Sequence, residues 1–376
     1  MMLKDLERSV KRAIAATLRW LLPEELPPSE KPQKVKLNNV LVIRHDNKLG
    51  NLLLITPLLN SLRRALPDAR IFLLVSEAYP EIFDNNADLD SLIIIHKKKL
   101  LRFPWKAAGL FRTLKGTGFD LAIDASHPHS FSLTSAIITR LTCAPWRLGF
   151  ERGDSSHYLN LRVRMPSVRM HESEMFLRLL EHIGIRTCPG PLRYFVKDTE
   201  SLWAEQELKR LGLENGEPLI GIFTGGRGKK RIEPAAMEEV ARSIDTLGLG
   251  RLIFFQGPLE QDRRISSADK GAQSTWIIAP EYSVRRFAAI LSRASVLVTP
   301  DSGPMHLANA LGVPVVAIFR EDSAWRYGPR GANDSILIFT GNVDCRAVSD
   351  SVSRTLQATS SAHMENSGRG SKTKDH

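Results

Sequence analysis

The segment Pro300-Asp301-Ser302-Gly303-Pro304-Met305-His306-Leu307-Ala308-Asn309-Ala310-Leu311-Gly312-Val313-Pro314 decides how the chain is read. It follows the apolar run Ser295-Val296-Leu297-Val298 and leads into another, Val315-Val316-Ala317-Ile318-Phe319. A short apolar run of this kind fits a buried parallel strand, and the polar, glycine-containing turn after it opens an Ala/Leu-rich helix. Two readings of the turn fit. Free backbone N–H groups and the positive end of the helix dipole can hold a phosphate there, with Gly303 letting a ligand approach the backbone. Asp301 or Ser302 can equally serve as an ordinary helix N-cap.

Working outward, the same strand-and-helix pattern runs back to Pro218-Leu219-Ile220-Gly221-Ile222-Phe223 and includes Leu252 to Phe255 and Trp276 to Ile278. A similar series begins at Val40-Leu41-Val42-Ile43 and continues through Ile71 to Val75, Leu92 to Ile95 and Leu121 to Ile123. Continuous apolar strands imply sheets covered on both faces, and strands alternating with helical segments imply a doubly wound α/β architecture. The chain is therefore expected to hold two Rossmann-like domains with parallel sheets facing a central cleft. Helices are expected over 172–186 and 199–213, on either side of a join at Pro189-Gly190-Pro191. The expected boundaries are 1–36 for an N-terminal helix and linker, 37–190 and 191–345 for the two domains, and 346–376 for a disordered tail poor in large apolar residues.

With 376 residues, 43% apolar and 25% charged, the composition is that of a globular protein large enough for two domains. No run of 18 or more apolar residues is present, so no membrane-spanning helix is expected. Cys143, Cys188 and Cys345 lie far apart and are odd in number, which suits reduced thiols in a cytoplasmic protein. The net charge of +11 favours an anionic partner. Residues 1–22 set Leu3, Leu6, Val10, Ile14, Leu18 and Leu21 on one stripe and carry Lys4, Arg8, Lys11, Arg12 and Arg19 largely off it. Such a basic amphipathic helix can lie on an anionic bilayer or pack on the protein's own surface. No recognisable nucleic-acid module is present, and the basic residues are dispersed.

Ligands of open parallel sheets bind beyond the carboxyl ends of the strands. In the second domain those ends carry Thr224-Gly225-Gly226-Arg227-Gly228-Lys229-Lys230-Arg231, Gln256-Gly257-Pro258-Leu259-Glu260 and the Asp301 turn. The first is a reasonable diphosphate clamp, but it lacks the glycine spacing and the Ser or Thr of a P-loop. No Gly-x-Gly-x-x-Gly opens a helix after the first strand of either domain, which argues against a nicotinamide-dependent oxidoreductase. In the first domain the corresponding loop is Arg44-His45-Asp46-Asn47-Lys48-Leu49-Gly50-Asn51. Residues 125–164 are rich in His, Ser and Arg, a surface able to meet an acidic acceptor or to serve as a solvated rim. Asp88-Leu89-Asp90 matches an Asp-x-Asp metal motif superficially, but turn chemistry explains it better. His171-Glu172-Ser173-Glu174-Met175 lacks the second histidine of a zinc helix, and no metal site is expected.

Taken together, Lys230 after its Gly-containing strand end, Gly257-Pro258-x-Glu260, the turn Asp301 to Ala308 and Ala310-Leu311-Gly312-Val313-Pro314 closely resemble glycosyltransferase family 9, the heptosyltransferases that build the lipopolysaccharide inner core. The first domain contributes Val40 to Arg44, Leu49-Gly50 and Thr56-Pro57, and the resemblance extends from about residue 38 to 330. It implies a GT-B architecture whose C-terminal domain holds the nucleotide-sugar donor ADP-heptose and whose N-terminal domain holds the acceptor. It also implies an inverting, metal-independent transfer without a cofactor, in the cytoplasm at the inner-membrane surface. By resemblance Thr224 and Lys230 contact the diphosphate, Glu260 the ribose and Asp301 the sugar, while Ser302, Gly303 and His306 line the phosphate-binding turn.

Two departures stand out. Family members usually carry Gly-Asp in the first loop, with the aspartate as general base, and Asn51 stands there in this chain. An amide orients a hydroxyl but cannot take its proton at neutral pH. Either Asp46 serves as base, or donor activation suffices alone, or activity has been lost. The loop is also one residue longer than usual. The second departure is Ile232, where the family usually has Trp. The expected function is transfer of heptose or a related sugar to a lipopolysaccharide-core or related glycan acceptor. The alternative is a non-catalytic sugar-nucleotide or glycolipid-binding protein of the same fold.

Overall fold

The computed structural model describes residues 16–17, 20–29, 32, 36–97, 99, 105–213, 216–226, 228–257 and 276–370. The chain divides into two units, Met1–Gly190 and Pro191–His376. Residues 1–15 of the expected basic helix and Glu260 lie outside the described residues.

In the first unit, β1 (Asn39–Arg44), β2 (Arg70–Ser76), β3 (Ser91–Ile95), β4 (Leu121–Asp124), β5 (Trp146–Phe150) and β6 (Leu161–Val163) form one sheet in the order β3-β2-β1-β4-β5-β6. Every pairing is parallel, with Val42 beside Leu73 on one flank and Ile123 on the other. Val40, Leu41, Val42 and Ile43 are all at 0% exposure, as a strand covered on both faces requires. The covering helices are α1 (Leu49–Leu53), α2 (Thr56–Ala65), α3 (Trp105–Gly116), α4 (Leu133–Leu141) and α5 (Glu172–His182). Local chemistry sets their starts. Pro57 occupies the first turn of α2, Ser132 caps α4 through Ser135 N–H, and Glu172 and Glu174 sit at the positive end of α5.

The second unit repeats the plan. Strands β7 (Leu219–Phe223), β8 (Arg251–Phe255), β9 (Ile277–Ile278), β10 (Val296–Pro300), β11 (Val315–Phe319) and β12 (Ser335–Ile338) are ordered β12-β11-β10-β7-β8-β9, again all parallel. Numbered from its own first strand, this is the same order as in the first unit. The helices are α6 (Asp198–Arg210), α7 (Pro234–Thr246), α8 (Val284–Leu291), α9 (Gly303–Ala310), α10 (Ala324–Tyr327) and α11 (Cys345–Gly370). In each sheet the chain reverses direction of growth once, between β1 and β4 and between β7 and β10. Such a reversal leaves a crevice at the carboxyl ends of the two strands.

Several expectations need correction. The tail expected to be disordered from residue 346 is instead helical over Cys345–Gly370. Val348 and Val352 are at 0% exposure in the core with Ile220, Met237 and Val316, and Ser349 bonds Ser243 of α7 at 2.9 Å. The reason is spacing: Val348, Val352 and Leu356 fall four apart on one face, which a count of apolar residues overlooks. The supposed linker is also docked at its start. Glu25 pairs with Arg140 and with Arg147 at 2.6 Å, its N–H donates to the Ser156 carbonyl at 2.7 Å, and Leu22 packs by Tyr158 and Leu159. Strands β5, β6 and β12 were not expected, because Arg147 and Gly149 break the apolar run in β5 and the other two are short and half-exposed.

The packing of α11 is directly testable. Val348→Asp puts a charge into the core and is expected to destabilise the second unit by about 3 kcal/mol or more. Arg354→Asp, on the exposed side of the same helix, should stay within about 0.5 kcal/mol of the parent in chemical denaturation.

Candidate functional site

Both sheets bring the expected loops to their switch points. In the second unit the residues after β7 turn through Gly228–Lys230 as a short 3-10 segment. Gly226 is required there, since a Cβ would lie 2.9 Å from the Arg231 Cα. This turn delivers Lys230 to the end of β10, where its Nζ lies 2.5 Å from Asp301 Oδ2. The Asp301 side chain is 7% exposed and that of Lys230 35%, so the ammonium is the accessible partner of a nearly buried carboxylate. Lys230 Nζ also stands over the Tyr327 ring, 5.0 Å from its centroid. Sequence reasoning did not single out Tyr327. Its signal was an aromatic residue in the short helix α10 that follows β11, the strand next to β10.

The turn after β10 is anchored by backbone bonding, with Asp301 N–H donating to the Ile318 carbonyl at 3.2 Å. Ser302 is the extended N-cap residue of α9, yet its side chain makes no capping bond and instead contacts Thr299 Oγ1 at 3.0 Å. Pro304 sits in the first turn of that helix and has no N–H to satisfy. Gly303 opens the helix, and His306 lies one turn further in, buried at 6% exposure. Thr224 is buried just after β7, with its N–H extending the ladder to Phe255. Lys230, Asp301 and Tyr327 are thus brought together, while Thr224, Ser302, Gly303 and His306 belong to the two backbone segments that carry Lys230 and Asp301. Ile232 is 2% exposed and packs with Met237 and Trp276. The second departure from the family pattern is therefore a core substitution.

In the first unit the loop after β1 is held just as firmly. Asp46 Oδ1 accepts from Lys48 N–H at 3.0 Å, Asp46 Oδ2 accepts from Asn51 Nδ2 at 2.7 Å, and the Asp46 carbonyl accepts from Ser76 Oγ at 2.8 Å. The expected candidates Asp46 and Asn51 therefore form one hydrogen-bonded pair across the turn into α1. Beneath them lies Arg44, its side chain 1% exposed, with Nη2 3.6 Å from Asp46 Oδ2 and Nη1 bonded to the Ala125 carbonyl at 2.8 Å. Its guanidinium also stacks on Phe176 at 5.0 Å. Burial lowers the Arg44 pKa, and Asp46, then Glu172 and Asp124, oppose that shift. A guanidinium nevertheless keeps its charge in a protein.

The end of β4 completes this crevice. Asp124 accepts from Ser126 N–H at 3.0 Å and pairs with Arg152 at 3.1 Å, and Arg152 also reaches Ser126 Oγ at 2.5 Å and the His127 carbonyl. Of the basic residues expected as a possible acceptor surface, Arg152 and His127 belong here, whereas Arg140, Arg147 and His157 hold the segment around Glu25. Asp88 accepts from Asn60, and Asp90 accepts from Ile71 N–H and pairs with Arg63, so both carboxylates act as structural ties. His45, beside Asp46, is held down to about 4 by burial and by Lys97, whose ammonium sits on the His45 carbonyl at 2.8 Å. Its Nε2 meets Ser135 Oγ at 2.8 Å, a contact suited to the neutral ring.

Comparison with known proteins adds to this geometry. Residues 107–354 match the family model described as Glycosyltransferase family 9 (heptosyltransferase). Lipopolysaccharide heptosyltransferase 3 of Escherichia coli (strain K12) is 24% identical over 287 residues, 72% of this chain and 79% of that protein. The glycosyl transferase family 9 structure from Veillonella parvula DSM 2008 aligns with a TM-score of 0.71 at 25% identity, covering 81% of this chain and 88% of that one. The E. coli heptosyltransferase WaaC with ADP aligns with a TM-score of 0.67 at 21% identity, covering 84% and 99%, and bears on the fold alone. The fold is GT-B, with two Rossmann-like units.

The depressed His45 pKa carries a pH dependence with a defined sign. The unfolded chain takes up a proton near pH 6.5 and the folded chain only near 4, so stability is full above about 6.5 and falls as pH drops toward 4. Between pH 7 and 5 the loss from this group is expected to be roughly 1–2 kcal/mol. Denaturation at the two pH values should show a correspondingly smaller loss in His45→Gln.

Proposed function

The chain belongs to glycosyltransferase family 9, and on that premise we propose that it is an inverting transferase moving heptose, or a related sugar, from ADP-heptose to a lipopolysaccharide-core or related glycan acceptor. The observation that carries this reading is the Lys230–Asp301 pair spanning the β7/β10 crevice. A nucleoside diphosphate brings negative charge to Lys230, the exposed member, and to the backbone N–H groups that open α9. Asp301 is then released toward the hydroxyls of the sugar, and Tyr327 forms the apolar wall beside Lys230. Thr224, Ser302, Gly303 and His306 complete the donor-binding segments, with Glu260 assigned to the ribose.

In the reaction, the acceptor hydroxyl oxygen bonds to the anomeric carbon as the bond from that carbon to the diphosphate oxygen breaks. The electron pair leaves with the diphosphate, and the hydroxyl proton passes to Asp46. Attack from the side opposite the leaving group inverts the anomeric carbon. Lys230 and the backbone donors stabilise the charge that develops on the leaving group, the task a divalent ion performs in other transferases, so the reaction is read as metal-independent. Heptosyltransferase names among the relatives support the choice of donor and acceptor. No helix among the described residues is long and apolar enough to cross a membrane. The basic residues of 1–22 favour contact with the anionic inner-membrane surface from the cytoplasmic side.

A second reading, a binding protein without turnover, is favoured by one observation, the amide of Asn51 at the usual place of the base. Transfer of labelled heptose from ADP-heptose to truncated cores by the wild-type chain excludes it. Calorimetric binding of ADP-heptose without transfer to any core would establish it. Lys230→Met is expected to lower kcat by roughly 10²–10³, the cost of one charge-stabilising donor, and to weaken ADP-heptose binding. Unchanged kcat and affinity in that variant would remove the β7/β10 crevice as the donor site.

A further inference from the structure

Asn51 is more than a missing base. Its Nδ2 lies 2.7 Å from Asp46 Oδ2, and opposite a carboxylate the amide can present only its N–H side. Asp46 Oδ1 is fixed by the Lys48 N–H, and Arg44 faces Oδ2 from below. The Asp46 side chain keeps 21% exposure, enough for a hydroxyl to reach it. One carboxylate is thus held by two neutral donors and one buried cation, with its remaining lone pairs open.

We propose that Asp46 and Asn51 have exchanged the places of base and orienting group, so that the amide at 51 is a required positioning residue and a carboxylate there disables the pair. This rests on the reading of Asp46 as the base. The step itself is unchanged: the acceptor O–H proton goes to Asp46 as the oxygen bonds to the anomeric carbon and the diphosphate leaves. What the exchange adds is a prohibition. Asn51→Asp, the substitution that makes the loop look more like its relatives, would set two carboxylates at hydrogen-bond distance. Like charges that close cannot both ionise freely, so the pair would share a proton and titrate together. The other groups around the pair are Arg44 and His45 at the end of β1, Lys97 on the His45 carbonyl, and Asp124, Arg152 and Glu172 around Arg44. Arg44 lies nearest the pair, and its charge offsets part of the repulsion that a second carboxylate at 51 adds.

In Asp46→Asn/Asn51→Asp the new amide at 46 can accept from Lys48 N–H and donate to the new carboxylate at 51, restoring the same bond in the opposite sense. Arg44 then loses its carboxylate partner at 46 and has the one at 51 as the nearest replacement, so recovery is expected to be partial.

The test is the pH profile of kcat/KM for the full chain and its Asp46→Asn, Asn51→Asp and doubly swapped variants. ADP-heptose affinity is followed in parallel by calorimetry, and the carboxyl carbons of Asp-labelled protein by NMR. Asp46→Asn should lose roughly 10²–10⁴ in turnover with donor affinity unchanged. Asn51→Asp should move the acid limb upward by about one pH unit or more, with a matching two-step carboxyl titration. The double swap should recover at least tenfold over Asp46→Asn. Wild-type turnover in Asp46→Asn would overturn the base reading itself. An unshifted limb in Asn51→Asp, or a double swap no better than Asp46→Asn, would overturn the exchange alone. Should the parent show no turnover, the function above fails, and the NMR titration of Asn51→Asp still decides whether the two positions couple.

Discussion

A parallel sheet grown outward in both directions from its first strand must reverse once, and the two crossovers beside that reversal part over the strand ends. Both sheets of this chain obey that constraint with the same strand order. The candidate groups follow from it: Asp46 and Asn51 with Asp124 at the β1/β4 reversal, and Lys230 with Asp301 at the β7/β10 reversal. Asp301 follows β10 directly and Asp46 stands two residues beyond β1, so both carboxylates are carried at the ends of core strands, while Lys230 reaches Asp301 from the longer connection between β7 and α7.

The two crevices differ in electrostatic design. At β7/β10 the half-exposed ammonium of Lys230 sits on the nearly buried carboxylate of Asp301, a pair that one side-chain movement can open. At β1/β4 the charges are interlocked, Arg44 with Asp46 and Ala125, Arg152 with Asp124 and Ser126, and all but the partly exposed Asp46 are buried. A network of that kind resists rearrangement, because breaking any one member leaves a buried charge without its partner. One crevice carries an ion pair with an accessible member, and the other holds the Asp46 carboxylate in a fixed network.

Much of this was legible from sequence because continuous apolar runs mark doubly covered strands. The core strands β1, β2, β7, β8, β10 and β11 all read that way. Their ends located the Lys230 and Asp301 loops and the Asp46 loop without further information. What was not legible depended on pairing in space. Arg147 lies in the basic stretch 125–164 that reads in sequence as an acceptor surface or a solvated rim, and only the fold shows it bound to Glu25 and the Tyr158 carbonyl. Arg44 reads as the end of a strand, and only the fold shows it beneath Asp46. Tyr327 lies almost a hundred residues from Lys230 in sequence and meets it through the adjacency of β11 to β10. The terminal helix escaped because its stripe of Val348, Val352 and Leu356 is thin beside its many serines.

The central claim is that the nucleotide-sugar sits at the β7/β10 reversal, and amide hydrogen exchange of the full chain with and without ADP-heptose tests it most directly. The account predicts slowed exchange in peptides spanning residues 224–231 and 300–306 when the donor is added. Slowing confined to peptides of Met1–Gly190, with those two segments unchanged, would contradict it.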